Sequence, residues 1–208
     1  MKRKFSMEEY LSSPCKASSL PFWKTERFEI PENICIYRED EFDSTLDSGV
    51  DEPYFKMIHH LQSALCPRLP DNYLLTKASI EEFADHILEC YTEENVTTEE
   101  LETYTQRSAY DPYLWIAVRE KATNKIVASG IGEFDSHIGE GILDWVQVTP
   151  EYRRRGLGQI VVCELLRRLS GKADFVTVSG RMNNSNNPFA LYKTCGFTDP
   201  VIWHIVTK

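Results

Sequence analysis

The sequence predicts a mixed α/β fold of the α+β type, preceded by an N-terminal extension. Three observations predict it. From residue 73 onward, segments with strand-like and helix-like periodicity alternate in the order β-α-α-β-β-β-α-β-α-β. An apolar run, Ile142 to Val148, enters a Gly-containing turn that opens a helix-like run, Gln159 to Leu169. The 208 residues, 42% hydrophobic and 12% aromatic, suffice for one domain with a sizeable core plus an extension, or for one enlarged domain.

The elements follow in order. Met7 to Leu11 reads as a short helix, Ser18 to Phe28 as irregular or extended, and Asn33 to Arg38 as a strand. Asp40 to Asp51 is acidic and turn-like. The spacing of Tyr54, Phe55, Ile58, Leu61 and Leu65 predicts a helix over 54–65 that ends before Pro67. Pro67 to Asn72 reads as a linker, which sets the expected boundary between an extension at 1–72 and a domain at 73–208. Tyr73 to Lys77 is a strand, and Ser79-Ile80-Glu81-Glu82 has the capping-box pattern that opens a helix. A second helix is expected over 98–110, capped by Thr97 or Thr98. Tyr113 to Arg119 and Ile126 to Phe134 form a hairpin about the turn 122–125, and Ile142 to Val148 is the next strand. Leu157, Ile160, Val161, Leu165 and Leu169 make one face of a helix. Phe175 to Ser179 is a strand, Pro188 to Thr194 a short helix with Gly196 at its C-terminal cap, and Val201 to Val206 a final strand.

The turn Arg153-Arg154-Arg155-Gly156-Leu157-Gly158 is the segment richest in chemistry. The first N–H groups of a helix lack intrahelical partners, and the helix dipole favours an anion there. Gly156 and Gly158 clear side chains from the path of a pyrophosphate, and the arginines add charge-assisted contacts. The spacing is neither the dinucleotide fingerprint G-x-G-x-x-G nor a P-loop, since no Gly-Lys-Ser/Thr follows.

Arg153-x-x-Gly156-x-Gly158 resembles the coenzyme A pyrophosphate loop, Q/R-x-x-G-x-G/A, of the GNAT acyltransferase superfamily. Asn187 to Phe197 is similar to that family's Asn…Leu-Tyr-x-x-x-Gly-Phe segment. The resemblance covers roughly residues 73 to 207 and implies a mixed, mostly antiparallel central sheet flanked by helices, with acetyl-CoA as cofactor. It implies that Val146, Gln147 and Val148 pair with the pantetheine arm through their backbone, and that Arg153, Arg154, Arg155, Gly156, Leu157, Gly158 and Gln159 hold the pyrophosphate. Tyr192 stands at the position whose phenol donates a proton to the departing thiolate and contacts the cofactor; a phenol near 10 and a thiol near 8.5 make that transfer reasonable. Asn187 resembles the family's cofactor-contacting Asn, although the usual Asn-x-x-Ala-x-x-Leu-Tyr spacing is not kept; it can equally cap the helix opened by Pro188.

Acyl transfer to an amine also needs a proton acceptor. Asp144, beside Trp145, is the first candidate general base, because a carboxylate against an apolar ring can have a raised pKa. Glu133, near the end of the preceding strand, is the second.

Composition excludes several classes. With 23 Lys and Arg against 32 Asp and Glu the net charge is −9, which disfavours nucleic-acid binding and suits a cationic acceptor such as an amine. No apolar stretch approaches the roughly 20 residues of a membrane span. The first ten residues lack the apolar core of a secretory leader, so a cytoplasmic location with reduced thiols is expected. The six cysteines contain no C-x-x-C; His86 with Cys90, and His59-His60 near Cys66, supply too few ligands for a closed zinc site, and no metal is expected. Cys163 and Cys195 are poor nucleophiles on position, which favours direct attack over a covalent enzyme intermediate.

The expected function is therefore an N-acetyltransferase that moves an acetyl group from acetyl-CoA to a primary amine, small molecule or peptide, in a ternary complex. The alternatives are a transferase with another acyl donor or acceptor, or a non-catalytic acyl-CoA-binding regulatory protein. The extension, with Phe22, Trp23, Phe28, Tyr54 and Phe55, is expected to pack on the catalytic domain, where it can wall the acceptor site or support a homodimer.

Overall fold

The structure, a computed structural model, describes residues 5–27, 29–45, 49–62, 67–91 and 94–208. In chain order the elements are α1 (Met7–Ser12), α2 (Pro14–Ala17), α3 (Phe22–Arg27), β1 (Ile34–Arg38), β2 (Val50–His59) and β3 (Tyr73–Thr76). They continue with α4 (Ile80–Cys90), α5 (Thr98–Tyr104), β4 (Tyr110–Glu120), β5 (Ile126–Asp135) and β6 (Glu140–Val148). A single 3-10 turn (Pro150–Tyr152) leads to α6 (Leu157–Leu169), β7 (Phe175–Arg181), α7 (Pro188–Thr194) and β8 (Thr198–Thr207). The fold class matches the expectation: mixed α/β, with mostly antiparallel strands flanked by helices. From residue 73 the predicted order of elements is the observed one.

The chain divides into two units, residues 61–176 and residues 1–60 with 177–208. In the first, the strand order is β6-β5-β4-β3, with antiparallel pairing throughout. Neighbouring residues of β5 show how helices cover both faces. Gly130 faces α6, so closely that a Cβ there would lie 2.5 Å from Val161 Cγ1 and 3.0 Å from Leu165 Cδ1. Ser129 faces the other way and meets His86 of α4. The apolar stripe of α6 is buried as predicted: Leu157, Ile160, Val161, Leu165 and Leu169 are each at most 8% exposed. Helix α4 opens with the expected capping box, Ser79 Oγ accepting from Glu82 N–H and Glu82 Oε2 from Ser79 N–H. Its Phe83 and Ile87 share a core cluster with Leu101, Tyr104, Trp115 and Ile131.

In the second unit β8 is the spine: β1 pairs with one edge of it and β2 with the other, both antiparallel. Tyr10, Phe22, Phe55 and Trp203 fill the core. The N-terminal helices are tied to the strands by polar contacts, with Trp203 Nε1 donating to Cys15 O at 2.9 Å and buried Lys56 Nζ donating to Leu20 O at 2.8 Å and Ser18 O at 3.0 Å.

Three expectations are corrected. The helix predicted over 54–65 is instead β2; every residue from Phe55 to His59 is buried, and a strand covered on both faces loses the alternation that would identify it. Leu65 and Cys66 lie outside the described residues. The irregular segment 18–28 contains α3, while Phe28 lies outside the described residues. The helix predicted over 98–110, which Thr97 caps, stops at Tyr104; turns follow, and Tyr110 already belongs to β4.

Candidate functional site

The turn after β6 folds as the glycine pattern requires. Arg154 and Gly156 take positive φ values of 60° and 80°, and Gly156 is the N-cap of α6. The left-handed conformation suits glycine, and no atom lies within 4 Å of where a Cβ on Gly156 would sit, so that side of the turn is open. The first hydrogen bond of α6 runs from Ile160 N–H to Gly156 O at 3.1 Å. The N–H groups of Leu157, Gly158 and Gln159 precede it and have no intrahelical acceptor. No side chain caps this end and no acidic residue lies in the first turn. Leu157 as a whole residue is 1% exposed, whereas Gly158 and Gln159 are half-buried.

The three arginines divide. Arg153 turns inward: its Nε donates to Val148 O and its Nη2 to Cys90 O, each at 3.1 Å. Arg155 lies over the Tyr152 ring at 4.8 Å and donates to Glu151 O at 2.9 Å. Arg154 is exposed on the turn.

Strand β6 carries Asp144 on a bulge. Ile131 pairs with Trp145 and the next residue, Gly132, with Leu143, so Asp144 is the extra residue. Its carboxylate does not face apolar rings alone. Arg107 Nη1 lies 3.4 Å from Asp144 Oδ2 and 2.6 Å from Glu133 Oε1. Glu133 is 2% exposed and Asp144 21% at the side chain. The guanidinium also sits over the Tyr104 ring, whose hydroxyl receives the Trp145 indole N–H at 3.4 Å. Burial, with the Asp144 charge adding to it, pushes the Tyr104 phenol above its ordinary range. The structure thus brings Asp144 and Glu133 together around one cation that sequence reading missed. Arg107 follows α5 and meets partners 26 and 37 positions away, a relation that leaves no local signal.

Beneath β6, on the α4 side, lies a buried polar chain. His86 Nδ1 meets Ser129 Oγ at 2.8 Å and its Nε2 meets Thr149 Oγ1 at 3.0 Å. Gln147 Nε2 donates to the same Ser129 hydroxyl. Burial drives the His86 pKa down to about 4 and the Cys90 thiol up to about 12. His86 and Cys90 do share a helix face, 3.6 Å apart, but both imidazole nitrogens are engaged by hydroxyls. Tyr91, at the C-cap of α4, donates its hydroxyl to Val146 O at 3.0 Å, and burial raises its pKa to about 12.

Asn187 and Tyr192 belong to the other unit. Asn187 caps α7, its side chain accepting from Ala190 N–H at 3.1 Å, with φ 50°. Tyr192 is 5% exposed and packs against Phe55 and Phe197, at ring-centroid distances of 6.0 and 5.5 Å. Gly196 follows α7 with φ 94°, as a helix-terminating glycine does.

Residues 117–204 match the family described as FR47-like protein. The fold is similar to that of a GCN5-related N-acetyltransferase from Sphaerobacter thermophilus, at 20% identity over 96% of this chain and 65% of that one, TM-score 0.63. It is also similar to a tandem GNAT protein from the clavulanic acid biosynthesis pathway, at 16% identity over 77% of this chain and 55% of that one, TM-score 0.54. A third likeness is to the ribosomal-protein-S18-alanine N-acetyltransferase from Escherichia coli, at 16% identity over 65% of this chain and 93% of that one, TM-score 0.51. The chain therefore spans less than two thirds of the length of the first two relatives. No curated protein matches the sequence. Among the described residues no helix is long and apolar enough to cross a membrane.

Proposed function

We propose that this chain, a member of the GNAT superfamily, is an acyl-CoA-dependent N-acetyltransferase that passes an acetyl group from acetyl-CoA to a primary amine of a small molecule or peptide. The observation that carries the reading is the open turn from Arg154 to Gly156 leading into α6. Backbone donors without intrahelical acceptors, a first helical turn free of acidic residues and a glycine whose Cβ position is open together fit a pyrophosphate. In this reading the N–H groups of Leu157, Gly158 and Gln159 bind the phosphates, with Gly156 clearing their path and Arg154 and Arg155 adding charge. Val146, Gln147 and Val148 align the pantetheine arm, and Asn187 completes the cofactor set.

Acetyl-CoA supplies an activated acyl carbon and a sulfur leaving group. The residues move the protons. Asp144 accepts the proton lost by the attacking amine, directly or through water, while buried Glu133 holds Arg107 in place beside it and is the second candidate for that role. Tyr192 delivers a proton to the sulfur as the carbon–sulfur bond breaks. The new carbon–nitrogen bond replaces the thioester, and coenzyme A leaves as its thiol. A backbone N–H of β6 polarises the thioester carbonyl. Residues 1–72 are read as the extension of a catalytic domain at 73–208. The pairing of β1 and β2 with β8 supports its packing role.

The shared guanidinium favours one second reading, a non-catalytic acyl-CoA-binding protein, because both candidate bases are already paired with a cation. The deciding experiment is acetyl-CoA turnover against pooled amines, read by mass of the acetylated product. Product that is lost in Tyr192→Phe supports the acetyltransferase. Tight acetyl-CoA binding with no product from any pool moves the assignment to another donor or acceptor or to the regulatory reading.

A further inference from the structure

We infer that the last turn of α4 is a positioning brace for β6 and the turn after it, and that Arg153 belongs to this brace rather than to the phosphate site. The consequence for cofactor binding rests on the acyl-CoA reading; the brace itself does not.

Four consecutive residues are each tied to the segment His86–Tyr91. Val146 O accepts from the Tyr91 hydroxyl at 3.0 Å. The Gln147 amide reaches Ser129 Oγ, which also meets His86 Nδ1 at 2.8 Å. Val148 O accepts from Arg153 Nε at 3.1 Å, and the same guanidinium donates to Cys90 O at 3.1 Å. Thr149 Oγ1 meets His86 Nε2 at 3.0 Å.

The register gives these contacts meaning. Thr149 N–H donates to Val127 O at 3.0 Å, and Ser129 is opposite Gln147, so residues 147 and 149 direct their backbone groups at β5. Val146 and Val148 then direct theirs away from β5, to the side on which an extended arm would add like a strand. Both carbonyls on that side already accept from a side chain, one from Tyr91 and one from Arg153. Each donor fixes the tilt of a peptide plane and leaves the oxygen a second lone pair. The choice of an arginine follows from α4: its last turn contains no basic residue, and Cys90 O is among the terminal carbonyls without an intrahelical donor. Arg153 supplies both a donor and the cation that this end of the dipole favours. A lysine, with one ammonium in place of a planar fork, cannot span the two carbonyls in the same way, whereas it serves a phosphate well.

The test uses the full chain as wild type and as Tyr91→Phe, Arg153→Lys and Arg153→Gln. Tyr91→Phe removes one oxygen and keeps the ring that packs on Trp145. In the free protein, amide hydrogen exchange over residues 146–149 is expected to speed up in all three variants, with Lys no better than Gln at 153. Unchanged exchange overturns the brace. Binding of acetyl-CoA and of S-acetylpantetheine, which lacks the pyrophosphate, is then measured by calorimetry. The brace predicts that Arg153→Gln and Tyr91→Phe weaken both ligands by a similar factor, roughly threefold to tenfold. A loss in Arg153→Gln confined to acetyl-CoA, and restored by Arg153→Lys, makes Arg153 a phosphate ligand and overturns the inference. If wild type binds neither ligand while exchange responds as expected, the brace stands and the acyl-CoA reading falls.

Discussion

The imidazole of His86 lies 3.0 Å from the hydroxyl of Thr149, joining the C-terminal half of α4 to the residue that leads out of β6. Burial holds this imidazole neutral, with a pKa lowered from 6.5 to about 4. The native state therefore binds fewer protons than the unfolded chain between those two values. The stability linked to His86 is complete above pH 6.5 and is lost as pH falls toward 4, by roughly 3 kcal/mol in all. Urea unfolding at pH 7 and pH 4.5 measures this. His86→Gln is expected to be less stable at pH 7 and to show a smaller further loss on acidification; an equal acid-side loss in the variant would refute the assignment.

Gly156→Ala separates fold from site. At φ 80° an added Cβ is strained, at a cost of about 1 kcal/mol, yet it meets no protein atom within 4 Å. A modest drop in thermal midpoint is expected alongside a loss of acetyl-CoA affinity of roughly tenfold or more. Equal affinity for wild type and variant would place the phosphates elsewhere.

Arg107→Met leaves the buried Glu133 carboxylate without its nearest cation. Breaking a buried pair from one side costs about 3–5 kcal/mol. The double variant Arg107→Met/Glu133→Gln is expected to recover part of that loss, because the amide carries no charge. Additive effects of the two substitutions in a denaturant cycle would show that the pair is not coupled.

Lys56 is 1% exposed, and its ammonium donates to Ser18 O, Leu20 O and the Tyr10 hydroxyl. Lys56→Met removes those donors while retaining much of the apolar stem. The expected destabilisation is roughly 2–4 kcal/mol. Limited proteolysis reads the local effect: early cleavage within residues 5–27 is expected in the variant, and an unchanged pattern would mean that the N-terminal helices are held by packing alone.

The sequence was most legible where a single element carries its own signal. Ser79 with Glu82, Pro188 and the apolar stripe of α6 mark elements that the structure reproduces, with Leu157–Leu169 and Pro188–Thr194 matching at both ends. It was least legible where burial is set by distant chain. Phe55 to His59 is buried on both faces because it lies inside the unit built around β8, so the alternation that marks a strand is lost. The arginines illustrate the same limit: three adjacent cations look equivalent, yet Arg153 is committed to Cys90 O, 63 positions away, while Arg154 is exposed.

What the sequence determined by itself was the order of elements from residue 73, the glycine turn that opens α6, and the resemblance those motifs carry, because caps, periodicity and left-handed turns depend on neighbours within a few residues. What only the tertiary structure decided was the company each polar group keeps. Arg107 between Glu133 and Asp144, His86 between Ser129 and Thr149, and Tyr91 on Val146 O are all pairings across 26 or more residues, fixed by how helices lie on strands rather than by local spacing.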